Sequence, residues 1–73
     1  MIQRPSQDIA IAANAVLAKS SVAELRQLRV DESGSELKLS GLVRSFYHKQ
    51  LAQETVRVVA GALRVNNTVR VSG

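Results

Sequence analysis

The apolar positions of this chain change period as the sequence is followed. Ile9, Ala12, Ala13, Val16 and Leu17 fall at i, i+3, i+4, i+7 and i+8, the spacing that lines one side of a helix. Ser6 follows Pro5 and offers a hydroxyl to cap that helix, so the spacing predicts a first helix over residues 7–19. Ser20 and Ser21 interrupt the pattern, and residues 22–27 have room for a short helical turn. From Leu28 the period drops to two, with Leu28 and Val30 alternating against Arg29 and Asp31. DESGS, residues 31–35, reads as a turn in which Gly34 is free to take φ > 0. A second strand, ELKLSGLV, sets Leu37, Leu39, Gly41 and Val43 against Lys38, Ser40 and Leu42, and a β-hairpin is expected. Gly41 falls on the inward side, where a missing side chain permits close approach of a neighbour or a kink in the strand.

Beyond Ser45, a second candidate cap, Leu51, Ala52, Thr55, Val56 and Val59 form a stripe at i, i+1, i+4, i+5 and i+8. The segment TVRVV is rich in β-branched residues, and a hairpin turning at Ala60 and Gly61 is the competing reading. The length of the stripe and a glycine at its end favour a helix. Leu63, Val65, Asn67, Val69 and Val71 then alternate with Arg64, Asn66, Thr68 and Arg70 as a third strand. The order αββαβ predicts an α+β fold in which two helices pack on one face of a three-stranded mixed β-sheet. A right-handed crossover sets the third strand parallel to the second. The uncovered face then carries Arg29, Asp31, Glu36, Lys38, Arg64 and Arg70.

Several of these segments also have a family likeness. ELKLSGLVRS, with Gly41, Val43 and Ser45 in step, Lys49 and Ala52 in the following helix, and GALRVNNTV, with Gly61, Val65, Asn67 and Val69 in step, together resemble the BON domain, the bacterial osmotic-stress and nodulation domain. The likeness runs from Ile9 to Val71, and Ala62 stands where the family tends to have a larger aliphatic residue. The resemblance implies the same αββαβ fold, as a single domain over residues 7–72 behind a flexible segment 1–6. It also implies a non-catalytic module that binds phospholipid membranes or envelope partners, in the bacterial periplasm or cell envelope. This sequence has one copy and no evident signal peptide, so the expectation becomes cytoplasmic if the chain is complete.

Composition narrows the chemistry. A chain of 73 residues makes one domain, and at that size only roughly 60% of the unfolded surface is buried, so the core is thin. There is no cysteine to staple it. Ten Lys and Arg against six Asp and Glu give +4, which suits an anionic surface and also serves solubility. The apolar run over residues 9–18 is about half the roughly 20 residues a spanning helix needs. Pro5, Asp8 and Asn14 break the pattern of a secretory signal.

Catalysis and metal binding find little support. His48 is the sole histidine and reads as part of a helix's first turn. DESGSE lacks the ligand spacing of a calcium loop. No Gly-x-x-Gly loop is present, and the only aromatics, Phe46 and Tyr47, lie outside the strands, which counts against an RNA-binding platform. Ile11, Ala15 and Ala18 leave the outer side of the first helix apolar beside Lys19, which suits a helix lying among headgroups and equally a face packed on a partner protein, and the family resemblance tips the expectation to lipid. The expected contact residues are therefore Ile11, Lys19, Arg29, Lys38, Arg64 and Arg70. Their expected partner is an anionic phospholipid surface, with an envelope protein as the alternative and nucleic acid disfavoured. No cofactor, metal or catalytic residue is expected.

Overall fold

The computed structural model describes residues 5–72. Two long helices, α1 (Pro5–Ala18) and α3 (Phe46–Ala60), and a short α2 (Ala23–Arg26) accompany five strand segments. These are β1 (Arg29–Ser33), β2 (Glu36–Ser40), β3 (Leu42–Val43), β4 (Arg64–Asn67) and β5 (Arg70–Val71). β1 pairs antiparallel with β2 and β2 parallel with β4, giving the order β1-β2-β4, while β3 and β5 form a separate parallel pair. The αββαβ order and the mixed sheet are as the alternation predicts. Each of the two later strands is broken once.

The breaks have local causes. Gly41 separates β2 from β3 with φ at 135°, a conformation that side-chain-bearing residues rarely adopt. A Cβ there would stand 2.6 Å from Leu28 Cδ2 and 3.4 Å from Leu28 Cα. Opposite it, Asn67 ends β4 by accepting the Val69 N–H on its own Oδ1 at 3.1 Å, a turn made by the side chain. Thr68 holds the crossing point, its N–H and Oγ1 both donating to the Leu39 carbonyl, at 2.8 and 2.7 Å. The inward glycine of the alternation thus kinks the strand, and its close neighbour is Leu28 rather than a helix.

The hairpin is tighter than DESGS suggests. Ser33 pairs with Glu36, so Asp31 and Glu32 belong to β1 and only Gly34 and Ser35 make the connection. Gly34 has φ at 62°, and no non-glycine residue among those described has positive φ, which fits a type II′ turn. α3 is delimited as its sequence predicts. Ser45 Oγ accepts the His48 N–H at 3.2 Å, and Gly61, with φ at 61°, releases the chain into a turn closed by Leu63 N–H to Ala60 O at 3.0 Å.

The core lies between one face of the sheet and the two long helices. Leu37, Leu39, Val30, Val43 and Val69 from the strands join Ala13, Leu17, Ala52, Val56 and Ala60 from the helices, with Leu25 and Leu28 closing one end. α1 is turned differently from its expected stripe. Ala13 and Leu17 are buried and Ile9 partly so, but Ala12 is exposed and Val16 is 37% exposed. The reason is Asn14, whose Nδ2 donates to the Val30 carbonyl at 2.8 Å and whose Oδ1 accepts the Val30 N–H at 2.9 Å. Drawing Asn14 onto β1 rolls Val16 outward. α1 also starts at Pro5 and not at residue 7, and the expected cap by the Ser6 side chain lies outside what the structure describes. Pro5 suits a first turn, where its missing N–H costs nothing. Of the expected flexible segment, residues 1–4 lie outside the described residues.

Gly41→Val is expected to lower stability by about 2–5 kcal/mol, from roughly 1–2 for the backbone and 1–3 for overpacking against Leu28. Gly34→Ala meets nothing within 4 Å and should cost only about 1 kcal/mol. Urea denaturation of both variants checks the difference, and equal midpoints would contradict it.

Candidate functional site

The two layers divide the expected contact residues. Arg29, Lys38, Arg64 and Arg70 are exposed and alternate with inward positions, so all four project from the sheet face opposite the helices. Ile11, 67% exposed, and Lys19 belong to the helix layer. One flat surface cannot touch both groups at once.

Register decides what the sheet face offers. Lys38 lies opposite Asp31 on β1, Arg64 lies opposite Glu36 on β2, and Arg70 lies opposite Leu42 on β3. No two of the four basic residues are direct cross-strand partners. Arg29 Nε approaches Asp31 Oδ1 at 3.4 Å in an exposed pair, and Asn66 Nδ2 donates to Glu36 Oε1 at 3.2 Å. Exposed pairs of this kind contribute about 0–1 kcal/mol. Their larger effect is to interleave acid with base, so this face is a mixed-charge surface and not a cationic one.

The helix layer is the more apolar surface. Ile11, Ala15 and Ala18 share the outer side of α1 at i, i+4 and i+7, with Ala12 and Val16 beside them and Lys19 at the end of the helix. A lysine there also complements the helix dipole, so its position has a structural use as well. α3 adds Val58 at 85% exposure, and Phe46 and Tyr47 stand exposed in its first turn. Those aromatics carry a signal in the sequence: they are the only two, and the buried cluster contains neither.

Among the described residues, Ser45 and His48 form an arrangement that resembles a catalytic pair. His48 Nδ1 lies 3.0 Å from Ser45 Oγ, and the Tyr47 ring meets the imidazole edge-on with centroids 5.5 Å apart. The same hydroxyl accepts the His48 backbone N–H, which marks Ser45 as a helix cap. Among the described residues the imidazole has no carboxylate partner to orient it, and no three His, Cys, Asp or Glu side chains converge as a metal site. Among them, too, no helix is long and apolar enough to cross a membrane.

Two side-chain amides central to the architecture carry little signal in the sequence. Asn14 joins α1 to β1, and Asn67 joins β4 to α3, its Nδ2 donating to the Lys49 carbonyl at 3.0 Å and to Gln53 Oε1 at 3.1 Å. Asn67 falls at an inward position of its strand, where a polar residue demands partners.

If Ser45 acts as a cap alone, Ser45→Ala should cost about 1 kcal/mol and Ser45→Asp should restore it, because a carboxylate caps as well and favours the helix N-terminus. Equilibrium denaturation reads both, and a failure of Asp to recover stability would contradict the capping role.

A comparison with curated proteins finds no match. A comparison with family models finds the BON domain over residues 6–73, which takes in every element of the fold. With nearly its whole length matched, the chain belongs to the BON domain family.

Proposed function

We propose that this domain is a binding module for anionic phospholipid surfaces, which it meets with the outer side of α1. The observation that carries this reading is the exposed Ile11, flanked by small apolar residues and followed by Lys19, on a helix too short to span a bilayer. Seating Ile11 in the acyl boundary contributes about 2 kcal/mol. Each basic side chain brought within a Debye length of the surface adds about 1 kcal/mol. Neither contribution suffices alone, so attachment is reversible and weakens with salt.

The sheet face takes a secondary part. Arg29, Lys38, Arg64 and Arg70 add to the overall positive charge that draws the domain toward the membrane, but they do not rest on it. Nucleic acid fits poorly, because the sheet has no exposed aromatic and carries Asp31 and Glu36 among its basic residues. The bacterial envelope is the compartment in which such a module would meet its lipid.

Sedimentation with vesicles tests the reading. The protein should pellet with anionic vesicles at low salt and remain free with neutral ones. Ile11→Asp should abolish pelleting, whereas Lys38→Glu should weaken it only slightly. Loss of binding in Lys38→Glu with full retention in Ile11→Asp would overturn the assignment to α1. Absence of binding to anionic vesicles would overturn the proposal.

A further inference from the structure

The edges of the strands end in different ways. On β1 the outward N–H and C=O of Val30 are both taken by the Asn14 side chain. On β3, away from β5, Gln27 Nε2 donates to the Leu42 carbonyl at 3.1 Å and Glu24 Oε1 accepts the Arg44 N–H at 2.9 Å. β4 pairs with β2 alone, and the N–H groups of Arg64 and Thr68 donate to Ser35 and Leu39 on that side. Alternation along a strand turns the N–H and C=O of Val65, and the N–H of Asn67, the opposite way. Among the described residues nothing pairs with them there. This edge is open.

A groove of about 320 Å3 lies beside it, lined by Gln53 and Arg57 of α3, by Gly61 and Leu63 of the turn, and by Arg64 and Val65 of β4. Two arginines are among its lining residues and neither Asp nor Glu is. We propose that the β4 edge and this groove bind an extended acidic segment of a partner protein, added to the sheet as a further strand. Its backbone pairs with Val65, and successive side chains fall alternately on the α3 side, toward Arg57, and on the outer side, toward Arg64. Carboxylates at neighbouring positions therefore meet both guanidinium groups. The half-buried Leu63 and Val65 give the groove its apolar part, which suits an aliphatic side chain of the partner. A second copy of this chain is the poorer occupant, since it brings another basic β4 and a like net charge of +4.

This surface does not involve Ile11 or Lys19, so it stands or falls apart from the lipid reading. The test is residue-resolved amide hydrogen exchange of the full chain, with two probes. One is an acetylated, amidated hexapeptide of glutamates with one central valine, and the other is the same peptide with lysine for each glutamate. The glutamate peptide should slow exchange at the Val65 and Asn67 amides about tenfold or more, the lysine peptide should not, and Arg57→Glu should remove the effect. Arg57 is exposed, so the variant is expected to fold, which its amide spectrum checks. Unchanged exchange at both amides, equal protection by the lysine peptide, or protection that survives in Arg57→Glu would overturn the proposal. So would protection that grows with protein concentration alone, which would assign the edge to a second copy.

Discussion

The burial of Leu37 and Leu39 of the central strand, in one cluster with the small helix residues Ala13, Ala52 and Ala60, is the contact on which the rest of the structure depends. Each leucine contributes about 1.5–3 kcal/mol by leaving water, and both sit on the central strand, where the two long helices meet the sheet. The alanines let both long helices come close to the sheet. One face of the sheet is thereby closed, and the other has nothing left to cover it. The division into an apolar helix layer and a mixed-charge sheet face follows from that asymmetry.

Polar side chains then finish what the thin core cannot. Asn14, Gln27 and Glu24 satisfy backbone groups at two strand edges, and Asn67 fastens the last long strand segment to α3. These bonds also fix orientation. Asn14 sets the roll of α1 about its axis, and so decides that Ile11 and Val16 face outward while Ala13 and Leu17 do not. The apolar surface proposed to meet lipid is in this sense a by-product of a hydrogen bond to the edge of the sheet.

How much of this can be read from sequence depends on which force sets each feature. Period-two alternation identified the apolar inward residues of the strands, though not Glu32 of β1, because a slip of one position would expose leucine and bury arginine. Both ends of α3 were legible, since Ser45 and Gly61 are residues whose chemistry suits those positions. The roll of α1 was not. In an alanine-rich helix several faces are nearly equally apolar, and the hydrogen bond that chooses among them reaches sixteen residues along the chain. The strand breaks were half visible, in Gly41 but not in Asn67. The residues expected to make contact are exposed, yet their division between two faces emerged only when the layers were assembled.

Two surfaces of one small domain are thus available for binding, and the lipid reading assigns the membrane to only one of them. Amide relaxation in nanodiscs that carry a paramagnetic headgroup tests that assignment most directly. Broadening should be strongest at Ile11, Ala15 and Ala18, with the strand residues largely spared. Broadening centred on Lys38 and Arg70 instead, or none at any amide of α1, would contradict it.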